Sequence, residues 1–239
     1  MIKAAIEKIQ QLVIGNAETR EVDGREYALT SMSPIKPPVQ EEIKIATLTG
    51  IADYFRQNPD NIDLTKAVVH IASHKRVEVV STVEGPWIQR HSYLTAEIDH
   101  KPFRYSQFMP LDEFMIALQT YFVQDETTAA LLKMVGNITD ESSVKAVDDG
   151  ISQQVTVKAG PRIENAILPN PILLAPYRTF TQVEQPPAAF VFRVNKSSDR
   201  AGTTAALFEA DGGNWQNTAI FNIKDWMEEE LPKGTTILQ

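Results

Sequence analysis

The sequence predicts an α+β fold with a mainly antiparallel sheet, on three observations. Helical periodicity dominates before residue 148, and two-residue alternation dominates after it. Between them in kind, residues 66–99 read as three alternating segments in a row, an antiparallel meander. A parallel α/β sheet would interleave the two rhythms along the whole chain; their segregation favours α+β.

The first element is an amphipathic helix over 1–14, where Ile2, Ala5, Ile6, Ile9, Leu12 and Val13 share one face and Gly15-Asn16 ends it. So short a helix needs a surface to pack on, its own body or another subunit. A hairpin follows around Asp23-Gly24, a pair suited to the positive φ of a tight turn. Ser33-Pro34 and Pro37-Pro38 then break regular structure and would serve as the hinge of a detachable arm.

From Thr47 the helical rhythm returns: Leu48, Ile51, Ala52 and Phe55 share a face, Thr47 caps it, and Pro59 limits it. The meander comes next, with strands over 66–73, around Val77 and Val79, and over 93–99. In the third strand Leu94, Ala96 and Ile98 alternate with Tyr93, Thr95, Glu97 and Asp99. A helix over 110–123 carries the strongest stripe, Leu111, Phe114, Met115, Leu118, Tyr121 and Phe122, with Pro110 at its first position. Burying six such side chains contributes on the order of 10 kcal/mol before entropy. A second helix runs from Glu126 to Val135 with Gly136 as its stop, and a shorter one spans 142–147.

After Asp148-Asp149-Gly150 the alternation of Ile151, Gln153, Val155 and Val157 marks a strand. The proline-rich stretch 161–187 is extended and can pair only at sheet edges. Phe190, Phe192 and Val194 mark another strand, 203–210 and 218–222 two more, and a short helix carries Trp226 over 224–230. The expected organisation is one α+β domain over 1–239. The alternative is a subdivision into a mixed helix and meander region over 1–148 and a strand-rich region over 149–239.

Composition narrows function more by exclusion than by indication. With 239 residues and 43% hydrophobic content the chain is long enough to bury a core without a staple. It has no cysteine, which excludes disulfides, thiolate metal sites and cysteine nucleophiles. The net charge of −8 argues against a duplex-DNA surface, which needs clustered lysine and arginine. The charged N-terminus lacks a signal-peptide core, and no apolar run approaches the roughly 20 residues of a membrane span. The expected compartment is the cytoplasm, with no membrane association.

No phosphate-binding loop, dinucleotide fingerprint, nucleophile elbow or paired-histidine zinc motif is present. His70 and His74 have a zinc-like spacing only on a helix; on a strand and its turn they lie about 13 Å apart. His91 and His100 flank Glu97 and Asp99, which project from one strand face and read more simply as its solvated side. The most suggestive segment is Phe208-Glu209-Ala210-Asp211-Gly212-Gly213-Asn214-Trp215. Glu209 and Asp211, two apart on a strand, could form half of a metal-dependent nuclease or hydrolase site, the only candidate catalytic pair. The simpler reading is a strand ending in a Gly-Gly turn over a packed Trp215. Arg178 and Arg193 sit among aromatics, where arginine can clamp a phosphate or stack on a base. Arg178, Arg193 and Trp215 are therefore the candidate ligand-binding residues, although an internal pair with a buried acid such as Glu184 or Glu209 is the simpler explanation of an arginine there. No metal site and no cofactor are expected.

The strings Pro169-Asn170-Pro171, Pro176-Tyr177-Arg178-Thr179-Phe180, Gln185-Pro186 and Phe208 to Gly213, with Leu48-Thr49-Gly50 and Asp148-Asp149-Gly150, resemble a family of uncharacterised bacteriophage and prophage proteins. The resemblance covers the chain from about residue 45 onward. It implies a protein of the early or accessory gene region, near recombination or replication genes, working in the host bacterial cytoplasm. It carries no catalytic residues over. Together these readings give a non-enzymatic accessory protein that acts by binding, as a homo-oligomer, on a host defence or replication protein or a small nucleotide signal. A metal-dependent nuclease or hydrolase using Glu209 and Asp211, and a structural component of the virion, are the alternatives.

Overall fold

The computed structural model describes residues 2–15, 19–22, 25–28, 40–83, 85, 88–138, 144–145, 154–159, 162–167, 170–196 and 202–239. The chain divides into two compact units, Met1–Gln40 and Glu41–Gln239. The first unit holds helix α1, Ile2–Gly15, and a hairpin of β1, Thr19–Val22, and β2, Arg25–Ala28. Val22 pairs with Arg25, so the two strands form an antiparallel hairpin; the turn expected at Asp23-Gly24 itself lies outside the described residues. The proline hinge expected near 33–38 lies outside the described residues.

The second unit opens with β3, Ile43–Ile45, and helix α2, Leu48–Gln57. Thr47 caps α2 as its sequence suggests, its hydroxyl accepting from the Gly50 N–H at 3.3 Å, and Asn58 closes the helix in the left-handed region. The meander follows as β4, Ala67–Ser73, β5, Arg76–Ser81, and β6, Ser92–Glu97, all antiparallel. The expected alternation fails at one place: Thr95 is buried, because its hydroxyl donates to Glu42 at 2.8 Å.

Next come β7, Met109–Pro110, α3, Leu111–Tyr121, and α4, Glu126–Gly136. Pro110 stands one position earlier than expected, at the cap of α3, since its extended backbone also pairs with the strand at Thr204. The helix expected over 142–147 is corrected: Val144–Lys145 form strand β8, whose Val144 pairs with Val155 of β9, Gln154–Ala159. Strand β10, Arg162–Ile167, completes that three-stranded sheet. Then follow β11, Ile172–Leu174, β12, Ala188–Lys196, and β13, Thr203–Glu209, in the order β11-β12-β13-β7. Both proline-stretch strands, β10 and β11, lie at sheet edges, where a missing N–H costs nothing.

The strand expected over 218–222 and the short helix over 224–230 are one helix, α5, Trp215–Glu230. Trp215, Ala219, Ile223 and Met227 are buried at intervals of four, a helical stripe that a shorter reading window splits. Strand β14, Thr236–Leu238, closes the chain by pairing parallel to β4, while β3 pairs parallel to β6. The five-stranded sheet β14-β4-β5-β6-β3 is thus mixed: an antiparallel meander with a parallel strand on each side.

The second unit has two apolar cores. One gathers Phe103, Phe114, Leu118, Phe122, Phe190, Phe192 and Trp215; the other gathers Leu48, Ile51, Val69, Val79, Phe180, Ile223 and Met227. Each takes residues from both sides of residue 148, so the packing does not follow the subdivision offered by the sequence. Among the described residues four helices, α1–α4, precede residue 148 and one, α5, follows it, but strands β1–β8 lie in the same N-terminal part, so the class is α+β without a helical half and a strand half.

Candidate functional site

Strand β13 ends at Glu209, and what happens there decides the fate of the two candidate carboxylates. Glu209 pairs across the ladder with Phe190, so both point to the same face of the sheet. Asp211 lies beyond the strand end, where the backbone turns through Gly212 and Gly213 at φ of 64° and 83°, a conformation that favours glycine. The shared strand face expected for Glu209 and Asp211 therefore does not form. Asp211 instead accepts from the N–H groups of Gly213 and Trp215, at 3.0 and 3.3 Å, and so fixes the start of α5.

Glu209 takes the other role the sequence allowed and accepts from Nη1 of Arg178. Among the described residues Arg178 has no ion pair with Glu184, whose backbone carbonyl accepts from Asn222. Arg178 is only 6% exposed. Its guanidinium carbon lies 3.7 Å from the ring centre of Trp215, 5.6 Å from Phe190 and 5.9 Å from Tyr105. Gln185 secures the backbone on this side, its Oε1 accepting from the N–H groups of Arg178 and Thr179. Tyr105 stacks on Phe190 with centroids 5.5 Å apart, and His74 meets the Trp215 ring edge-on at 4.7 Å. The result is a cation held in an aromatic box with one carboxylate at its border.

Burial pushes the Arg178 guanidinium below its ordinary value, against the pull of Tyr105, Glu209 and Asp211. Burial likewise raises the Tyr105 phenol and lowers the His74 imidazole, the latter helped by Lys75 and Arg178. Arg193 does not join the box. It stands three residues from Phe190 on β12, on the opposite face by the period of two, and donates to the Phe192 carbonyl at 3.3 Å.

The histidines disperse. His70 faces Glu78 across the ladder at 3.5 Å, and among the described residues no group of three histidines or acids is placed to hold a metal ion. Glu97 and Asp99 line an open cleft of about 580 Å³ with Glu42, Lys44, Arg76 and Thr95. Two of its charged residues are engaged by neighbours: Arg76 bonds Glu78 at 2.7 Å, and Ser92 and Thr95 hydroxyls hold the Glu42 carboxyl below the usual range. An apolar groove of about 300 Å³ runs beside α3 under the Arg104–Glu113 pair.

Sequence reasoning placed Arg178, Glu209 and Trp215 among the candidates and missed Tyr105 and His74 as their neighbours. Tyr105 sits in a connection that periodicity leaves blank, and nothing local to either residue signals the box. No family model, no curated protein and no solved structure matches this chain.

Proposed function

We propose that this chain is a non-catalytic binding protein that works as a self-assembled unit, an accessory protein of the bacteriophage kind its residues resemble. The observation that carries the assembly reading is the uncovered apolar face of α1, where Ile2, Ile6 and Ile9 are 78%, 51% and 59% exposed. Their spacing of four and then three puts them on one helical face. A 14-residue helix is too short to persist alone in water, so the face calls for a partner surface. A second copy of α1 suits it, because Lys3, Glu7 and Lys8 flank the stripe and Glu7 of one copy can meet a lysine of the other.

The energetics favour a modest affinity. At about 1.5 kcal/mol per buried isoleucine, six of them contribute on the order of 10 kcal/mol. Association costs about 4–15 kcal/mol, so the assembly is concentration-dependent. The engagement of Glu209 by Arg178 and of Asp211 by the start of α5 supports binding over metal-dependent hydrolysis. A host defence or replication protein in the bacterial cytoplasm is the target that the phage resemblance suggests, reached by an assembled body rather than a single chain.

The test is native mass spectrometry of the untagged protein beside the double variant I6E/I9E, across a dilution series. The expected result is a defined multiple of 26.7 kDa that the variant reduces to monomer. A monomer at high concentration, or an assembly indifferent to the two substitutions, overturns the reading.

A further inference from the structure

Arg178 has more donors than the fold uses. Nη1 is taken by Glu209, but Nε and Nη2 are shielded from solvent and have no hydrogen-bond partner among the described residues. The Tyr105 hydroxyl in the same box is also buried and, among the described residues, unpartnered. Nε–H and Nη2–H lie parallel on one edge of the planar guanidinium, the edge that grips two oxygens of a carboxylate or phosphate at once. Buried donors of this strength are rarely left unpaired in a stable fold. The box therefore presents a two-pronged cation edge and a neighbouring hydroxyl, all without an acceptor among the described residues.

We propose that the Nε/Nη2 edge of Arg178, with the Tyr105 hydroxyl, is the receptor for the oxyanion of a small ligand, a carboxylate or a phosphate group. The site is closed as it stands, and its border gives a way in. Glu209 is 41% exposed at its side chain, so it can swing to solvent and take its own competing carboxylate with it. Gly212 and Gly213 lie between Glu209 and Trp215, and nothing stands within 4 Å of where a side chain would project from either, so the outer side of this turn is uncrowded. Trp215 and Phe190 keep the guanidinium flat and dry, which strengthens its hold on an oxyanion once one arrives. Asp211 does not compete, because both its oxygens accept backbone N–H groups.

Oxyanion binding at the box does not depend on assembly and is tested separately from it. The full-length protein is titrated with inorganic phosphate and, in a parallel arm, with malonate, reading the Arg178 Nε–H resonance and the thermal midpoint. Saturable movement of both readouts is expected with at least one probe. The arm that responds identifies the ligand as phosphate- or carboxylate-bearing. Arg178→Lys keeps the charge but loses the paired edge and should weaken binding about tenfold or more. Tyr105→Phe should weaken it several-fold. Glu209→Gln removes the internal competitor, so it should tighten binding, as a larger fraction of the protein is then competent to bind. If the lysine variant fails to fold, the phenylalanine and glutamine variants decide. No saturable response to either probe overturns the proposal, and so does a response that Glu209→Gln and Tyr105→Phe leave unchanged.

Discussion

Replacing Arg178 by methionine separates a structural cation from a receptor. Methionine keeps an apolar stem that reaches about as far as the Nε position and removes the guanidinium. The stack on Trp215 at 3.7 Å is desolvated, and losing it costs about 2 kcal/mol. The pair with Glu209 adds at most about 1 kcal/mol, because a carboxylate 41% exposed is screened and can return to water. Against these, the variant no longer buries unpaired N–H donors, a relief of about 1–3 kcal/mol. The terms largely offset one another, so Arg178→Met should fall within about 2 kcal/mol of the parent in phosphate-free buffer. A buried ion pair fully satisfied inside the fold would instead cost about 3–5 kcal/mol to break. Urea unfolding of the parent, Arg178→Met, Glu209→Gln and the double variant gives both the total and the coupling between the two residues. A loss of about 3 kcal/mol or more without ligand would refute the reasoning, since the donors would then already be satisfied within the protein.

Two further residues of the box give independent checks. Burial holds the folded His74 pKa below its ordinary value of about 6.5, with Lys75 and Arg178 adding repulsion. The neutral form's contribution is therefore complete above that value and is lost as pH falls through the lowered folded pKa. Urea midpoints should fall on acidification through that window, and His74→Gln should flatten the fall; an equal decline in the variant would remove the assignment. Asp211→Ala withdraws the acceptor from the Gly213 and Trp215 N–H groups and should cost about 1 kcal/mol in a circular dichroism melt. Since Glu209 and Asp211 both already have partners, neither Mg²⁺ nor EDTA should move the melt. A clear rise with Mg²⁺ would restore the hydrolase alternative.

Local signals in the sequence carried most of the elements they could reach. Thr47 before a helical stripe, Asp23-Gly24 between strands and the alternation in β12 each act within a few residues, and the structure places a helix cap, a hairpin and a strand there. Non-local pairing was invisible. Strands β3 and β14 are three residues each and take their structure from β6 and β4, so no alternation of their own could announce them. In α5 the buried stripe runs one residue per turn, Trp215, Ala219, Ile223, Met227, and is interrupted by Ile220, Phe221 and Trp226 among polar residues, which reads locally as a broken strand and a stub of helix. At the site, Arg178, Glu209 and Trp215 stood out as charge and aromatic residues in unusual company. Their convergence with Tyr105 and His74 depends on segments about 30 to 140 residues apart in sequence, beyond any local pattern.

That same helix bears on how the second unit behaves as a whole. Trp215 and Ala219 belong to the core built on α3 and β12, whereas Ile223 and Met227 belong to the core built on α2 and the meander. The stretch from the end of β11 onward bridges the cores too, with Leu174 in the first and Phe180 in the second. Neither core can open without stripping apolar contacts from an element the other holds. Two separable cores would lose structure at different denaturant concentrations, but two cores threaded by shared elements should unfold together. Fluorine NMR of fluorotryptophan-labelled protein distinguishes the cases, because Trp215 reports on the first core and Trp226 packs against the second. The chain also holds Trp87, and the native resonances assigned to Trp215 and Trp226 should vanish at one urea midpoint. Separate midpoints would mean that α5 frays between Ala219 and Ile223, and the Arg178 box would then rest on the first core alone.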